Sequence, residues 1–212
     1  MPLNPALSVR TERYSAVEGR TPAITVAQAK RLLASIAPVR LVDYRDRALI
    51  AVLIYTAVRA GAAGRLRVGD FMEDGTQFVL RFAEKGGKAR SIPVRHDLQR
   101  YLQEYIAVAG LDNQPKDSPL FRTANRRRGL SAVALNGVDI CRLVKRRLKG
   151  AGLPGVFSPH SFRACIATDL LTQNVPLEDV QRLLGHADSR TTALYDRRSR
   201  QVTRNVVERI SV

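Results

Sequence analysis

A tyrosine and a histidine near the carboxyl end of the sequence have side chains of the type that can break a covalent bond. In the stretch "LLGHADSRTTALYDRR", Tyr195 follows His186 by nine residues. A phenol can act as a covalent nucleophile, and an imidazole can assist it. The same pair is also typical of a core histidine beside a buried ring, so its chemistry depends on partners elsewhere in the chain.

A second candidate group lies in "SPHSFRACIATDLL", where His160 and Arg163 are three residues apart. Ser158 and Pro159 are the residue types preferred at the N-cap and at the first position of a helix. His160 then falls in the first turn, where backbone N–H groups and the helix dipole attract anions. Arg163 shares that face of the helix, so the two side chains predict a phosphate-binding site.

Three further basic residues are candidates for the same site. Arg59 directly follows the apolar stretch "ALIAVLIYTAV", which predicts a buried helix, and its side chain is expected to point inward. Lys85 and Lys88 lie in "AEKGGK", between two strand-like segments. Taken alone, Arg59 is typical of an exposed helix end, and the two lysines are typical of a solvated turn.

The elements that would position these residues are mostly helical. Thr25 and Gln28 have the spacing of a capping box at the start of a first helix. Hydrophobic residues at helical spacing predict four further helices. They cover residues from about 43 to 57, 97 to 109, 137 onwards and 177 to 184.

Strand signals are confined to one region. "FVLRF" (78–82) and "RSIPV" (90–94) flank a Gly-Gly turn and predict a β-hairpin, whereas "TANRRRG" (123–129) predicts a basic loop. We therefore expect an α+β, mainly α fold: one helical domain over residues 23–212 with a small antiparallel β-hairpin, preceded by a linker over residues 1–22.

The net charge of the chain limits the classes of molecule that it is expected to bind. Lys and Arg number 35 against 19 Asp and Glu, a net charge of +16, which favours a polyanion such as nucleic acid. The longest apolar run is too short to span a bilayer, and the amino end has no signal-peptide pattern. Cys141 and Cys165 have no CxxC spacing and are predicted to be buried thiols. These features indicate a soluble intracellular protein.

Four segments, in order, resemble the tyrosine recombinase, or phage integrase, family. "YTAVRAGAAGRLRVGD" is similar to the family's first arginine box, and "AEKGGKARSIPV" to its lysine hairpin. "PHSFRACIATDLL" is similar to its His-x-x-Arg box, and "LLGHADSRTTALYDR" to its Gly-His…Tyr box. The resemblance extends from about residue 4 to residue 210.

The resemblance implies metal-free transesterification at a DNA phosphodiester. Tyr195 would attack phosphorus and leave a 3′-phosphotyrosine, while Arg59 and Arg163 would stabilise the charge that develops on the phosphate oxygens.

The resemblance also assigns the proton transfers. His160 would assist proton removal from Tyr195, and His186 would donate a further hydrogen bond to the phosphate. Lys85 would protonate the departing 5′ oxygen. It is preferred to Lys88 because the matching lysine of the family precedes the turn.

The resemblance implies no cofactor and no metal ion, because the phosphotyrosine keeps the bond energy for religation. It implies double-stranded DNA as the partner, self-association into a tetramer on DNA, no membrane, and a cytoplasmic, nucleoid-associated location. A separate helical core-binding domain usually precedes the catalytic domain of the family. "NPALSVR" is similar to the linker after it, so that front domain is expected to be absent here.

Two positions depart from the family pattern, and two readings compete with it. Ala62 stands where an acidic residue often follows the arginine, and Ala57 stands where a glycine often precedes it. One competing reading is a type IB topoisomerase, which shares the residue types but not the tight Gly-His…Tyr box. The other is a DNA-binding regulator that keeps the fold without cutting.

Overall fold

A long buried helix forms the centre of the fold. The computed structural model describes residues 22–83, 89–125 and 129–185, together with Thr192. The central helix, α2 (Leu41–Thr56), is about 24 Å long, at about 1.5 Å per residue. Residues 48–54 are all buried, and a helix that is apolar on every side needs partners on every side. It therefore packs against several other helices, among them α1 (Val26–Ala34), α4 (His96–Val108) and α6 (Pro159–Thr172).

The predicted helices are confirmed, and each helix end predicted from the sequence lies within two residues of the observed end. In the predicted capping box before α1, the hydroxyl of Thr25 accepts from the Gln28 N–H at 3.1 Å, and the Thr25 N–H donates to the Gln28 side chain at 2.9 Å. The predicted Pro159 at the start of α6 is also present. The other helices are α3 (Ala60–Gly64), which no pattern predicted, α5 (Gly137–Gly150) and α7 (Leu177–Leu184).

The predicted hairpin is confirmed as part of a three-stranded antiparallel sheet. The strands are β1 (Phe71–Glu73), β2 (Phe78–Ala83) and β3 (Ala89–Pro93), in that spatial order. The described part of the β2–β3 ladder runs as far as Ala83 opposite Ala89. Lys85 and Lys88 belong to residues 84–88, which lie outside the described residues.

A second sheet corrects the predicted loop at 123–129. β4 (Arg122–Ala124) pairs antiparallel with β5 (Leu130–Ala134), so parts of that segment are strand. Strands of this length contain too few residues to show alternation, which is why the basic composition dominated the prediction. The fold is mainly helical with small antiparallel sheets, as predicted.

A network of ion pairs joins α2 to α5. Asp46 is fully buried and accepts hydrogen bonds from Arg45 on its own helix, from Arg146 at 2.8 Å and from Arg147 at 2.7 Å. Arg147 also donates to Asp43 at 2.7 Å. Burial alone would raise the pKa of Asp43, but hydrogen bonds from Arg40 and Arg147 outweigh it and hold the pKa well below its ordinary value. A buried charge is tolerated only when it is paired in this way.

The two cysteines differ from one another. Cys165 is buried in the core, as predicted, and burial raises the pKa of its thiol to about 11. The prediction for Cys141 is wrong, because its side chain is exposed. It lies on the outward face of α5, whose buried residues are Ile140, Leu143, Val144 and Leu148. Among the described residues, no helix is long and apolar enough to cross a bilayer.

Candidate active site

A pocket of about 170 Å³ lies where α2 ends and α6 begins. Its lining includes Arg59, His160 and Arg163, so the structure brings together the three predicted site residues that it describes. Cys141 of α5 contributes to the same wall. The pocket thus combines two guanidinium groups with an imidazole, a set of donors suited to a phosphate group.

A tight turn after α2 places Arg59 at the pocket. α2 ends at Thr56, and Ala57 adopts the left-handed conformation, with φ 50° and ψ 26°. Arg59 returns to extended backbone, with φ −70° and ψ 145°, and caps the short helix α3. Its side chain is exposed, not directed into the core, and it faces the pocket opening. An exposed cation in this place can meet a phosphate that arrives from solvent.

Arg163 is buried and is held by the ends of two helices. Its side chain is 1% exposed. Nη1 donates to the carbonyl oxygen of Ala57, after the last residue of α2, and Nη2 donates to that of Leu184, at the end of α7. Both carbonyls lie at helix C-termini, where the dipole favours a positive charge. These bonds fix the guanidinium in place, and Arg163 contributes to the lining of the pocket.

His160 lies in the first turn of α6 beside both arginines. Desolvation by burial lowers the pKa of His160, and the positive charges of Arg163 and Arg59 lower it further. This lowering favours the neutral imidazole, which can accept a proton.

Arg90 is a residue of this region that sequence reasoning missed. From β3, its Nη1 donates to the carbonyl oxygen of Arg182 at 2.9 Å and to that of Leu183. Arg90 shares a strand face with Ile92, which is buried. A charged residue on the inward face of a predicted strand was the available signal, since such a side chain needs a specific partner.

The other predicted site residues, Lys85, His186 and Tyr195, lie outside the described residues. Their neighbours in sequence are described. Gly185 follows α7 in the left-handed conformation, with φ 62°, and immediately precedes His186. Thr192, three residues before Tyr195, is buried.

Sequence comparison decides the family. The profile of the phage integrase family matches residues 22–201. This chain belongs to the phage integrase family. Among similar proteins, tyrosine recombinase XerC of Nitrobacter winogradskyi is 36% identical over 152 residues, which cover 71% of this integrase-family chain and 45% of that protein. Tyrosine recombinase XerD of Corynebacterium glutamicum is 36% identical over 155 residues, which cover 73% and 48%.

Solved structures agree with the family assignment. The XerH site-specific recombinase bound to its difH substrate in a pre-cleavage complex superposes with a TM-score of 0.69 and 25% identity, covering 82% of this integrase-family chain and 50% of that chain. A lambda integrase tetramer bound to a Holliday junction, at TM-score 0.62 and 19% identity over 95% and 55%, shares the fold. The chain spans about half the length of the curated relatives it matches.

Proposed function

We propose that this chain is the catalytic domain of a site-specific DNA recombinase, which cuts and rejoins DNA strands through a 3′-phosphotyrosine without a metal ion. The observation that carries the proposal is the convergence of Arg59, His160 and Arg163 on one pocket in a member of this family. The three residues match the family's arginine box and His-x-x-Arg box.

The chemical step places Tyr195 as the nucleophile. The phenol oxygen forms a bond to phosphorus, and the bond from phosphorus to the 5′ oxygen breaks. Arg59 and Arg163 stabilise the extra negative charge on the non-bridging oxygens. One cation at about 4 Å contributes roughly 4 kcal/mol of attraction at an effective dielectric constant of about 20. Two arginines can therefore supply charge stabilisation of the size usually provided by a metal ion.

Proton transfers accompany both bond changes. A tyrosine phenol is mostly protonated at neutral pH, because its ordinary pKa is about 10. His160, whose lowered pKa favours the neutral imidazole, takes the proton from Tyr195. Lys85 gives a proton to the leaving 5′ oxygen, and His186 donates a hydrogen bond to the phosphate. Religation is the reverse of these steps on a second strand.

The proposal extends to domains and partners. Residues 23–212 form the catalytic domain, and residues 1–22 lead into it. Double-stranded DNA is the partner, a tetramer on DNA is the working assembly, and the nucleoid is the place of action. In support, solved structures with this fold include a recombinase bound to its DNA substrate and an integrase tetramer on a Holliday junction.

The experiment is covalent capture on DNA in the absence of magnesium. A pool of nicked duplexes, randomised upstream of the nick, should yield an SDS-resistant protein–DNA adduct with the wild-type chain. Tyr195→Phe should abolish the adduct and leave duplex affinity within two-fold, because only the nucleophilic oxygen is removed. Tyr101→Phe, which removes a hydroxyl on α4, is the matched control and should form the adduct normally.

The outcomes separate the competing functions. An adduct that persists in Tyr195→Phe would show that another residue is the nucleophile. DNA binding with no adduct from the wild-type chain on any member of the pool would make the chain a DNA-binding regulator. An adduct accompanied by relaxation of supercoiled plasmid, with no exchange between duplexes, would indicate topoisomerase activity.

A further inference from the structure

Two arginines hold the end of α7. The last four carbonyls of an α-helix have no partner within the helix. In α7, the carbonyl oxygens of Arg182 and Leu183 accept from Arg90, and that of Leu184 accepts from Arg163. Three successive carbonyls are thus bound by side chains that come from a strand and from another helix, and the dipole of α7 favours both cations.

The core packing holds α7 in place independently of Arg90. Val180 and Leu184 are fully buried and pack in a cluster with Ala164, Ala167 and Leu171 of α6. Arg163 fastens the last turn of α7 to the end of α2 through Ala57. The position of α7 is therefore determined by the core.

The β2–β3 hairpin, in contrast, depends on Arg90 for its position relative to α7. β3 is five residues long, and the side chain of Arg90 lies in the register position opposite Phe82. Ala89, the neighbour of Arg90, closes the described part of the ladder opposite Ala83. In the sequence, Arg90 is thus two residues away from the segment 84–88 that contains Lys85. The bonds of Arg90 to α7 tie β3 to the core, whereas Arg81 on the opposite strand face is half exposed and pairs with Asp70 at 3.8 Å.

We propose that Arg90 is a positioning residue for the general acid: by binding the carboxyl end of α7, it fixes the hairpin so that Lys85 reaches the departing 5′ oxygen. This inference rests on the proposed function. A general acid must lie within hydrogen-bond reach of the atom it protonates. A misplacement of about 1 Å can lower a rate by about 10²-fold. Arg90 need not touch DNA for this role.

The test uses two versions of one nicked substrate taken from the captured pool. In the first, the leaving atom is the normal 5′ oxygen, and in the second it is a 5′ bridging sulfur, which departs as a thiolate and needs no proton. We expect Arg90→Gln to slow adduct formation by about 10²-fold on the oxygen substrate and by less than about five-fold on the sulfur substrate. Lys85→Ala should show the same pattern, and the double variant should be no slower than the slower single variant.

Controls separate this role from simple damage to the fold or to DNA binding. Arg81→Gln removes an arginine from the outer face of the same hairpin and should leave both rates unchanged. A single nitrogen of Arg90, Nη1, donates to both carbonyls, so Arg90→Lys, which keeps a charged nitrogen donor, should recover part of the rate on oxygen. Thermal melting and duplex affinity of Arg90→Gln should stay near wild type.

The results that would overturn the inference are distinct from those that would overturn the proposed function. Equal slowing of Arg90→Gln on both substrates, no slowing on either, or a main effect on duplex affinity would each contradict a role through Lys85. Failure of sulfur to rescue Lys85→Ala would remove Lys85 as the acid and the inference with it. Failure of the wild-type chain to form an adduct on either substrate would instead contradict the proposed function.

Discussion

Arg59 and Arg163 carry the same charge in one pocket, yet they are held in opposite ways. Arg59 is exposed at the mouth, whereas Arg163 is buried and bound to the carbonyl oxygens of Ala57 and Leu184. Replacing Arg59 should therefore affect phosphate binding and spare the fold. Replacing Arg163 would leave helix ends without partners, so its catalytic and structural effects would be mixed.

The charge of Arg59 also affects the pKa of His160, and this effect can be measured directly. Arg163 and Arg59 lower the pKa of His160, so removal of one cation should raise it. In Arg59→Gln we expect the imidazole to titrate at higher pH than in the wild-type chain, as followed by NMR of the ring protons. Arg100→Gln removes a surface cation that does not contribute to the lowered pKa of His160 and is the control. An unchanged His160 titration in Arg59→Gln would show that the two side chains do not interact.

At the residue scale, the sequence predicted the side chains that line the pocket better than the side chains that hold the surrounding elements in place. Arg59, His160 and Arg163 were predicted and lie together, because helix-start signals and the family resemblance both depend on local sequence. Arg90 was missed, since its partners on α7 are 92 and 93 residues away in the chain. The exposed position of Cys141 was also missed, because a cysteine on a helix with an apolar stripe can face either way.

At the element scale the ion-pair network between α2 and α5 fixes the base of the central helix. Because the pKa of Asp43 is lowered in the folded state, its contribution to the free energy of unfolding is complete above its ordinary pKa of about 3.9. That contribution is lost as the pH falls below this value. Acid should therefore loosen α5 from α2.

Asp43→Asn tests this network. At pH 7 the variant should be destabilised by about 2 kcal/mol, because the partly buried Arg147 loses one of its two carboxylate partners and keeps Asp46. Its stability should also fall less steeply than that of the wild-type chain between about pH 5 and pH 2. Urea unfolding at several pH values measures both effects. Asp112→Asn, at an exposed loop position, should change neither quantity, and parallel curves for Asp43→Asn and wild type would contradict the paired carboxylate.

The helices and strands differ in how clearly the sequence predicts them. α2 was found because a run of apolar residues is unmistakable, and the β2–β3 hairpin because two alternating segments flank glycines. β1 and β4, of three residues each, carry no period that could be recognised. Arg45 and Asp46, adjacent in a helix, carry no local pattern that indicates burial, and only the packing of α5 against them makes them a core feature.

At the scale of the whole molecule, the net charge of +16 should govern the affinity for DNA that the proposed function requires. Each neutralised phosphate releases counterions, so binding should weaken steeply with salt. For about six phosphate contacts, affinity for an unrelated duplex should fall by about 10³-fold between about 50 and 200 mM salt. Fluorescence anisotropy with Tyr195→Phe, which cannot trap DNA covalently, measures this slope. An affinity that hardly changes with salt would contradict a binding surface made mainly of phosphate contacts.

The turn at Ala57 has a consequence for how this molecule fails. A left-handed alanine is disfavoured by about 1 kcal/mol, so the turn has little local preference to form. The bond from Arg163 to the Ala57 carbonyl holds it, and that bond exists only once α6 has docked on α2. The pocket is thus complete only when α6 is docked on α2. The net positive charge, in contrast, persists in any conformation. If the proposed function holds, a partly unfolded copy should therefore still bind DNA through its charge but be unable to cut it.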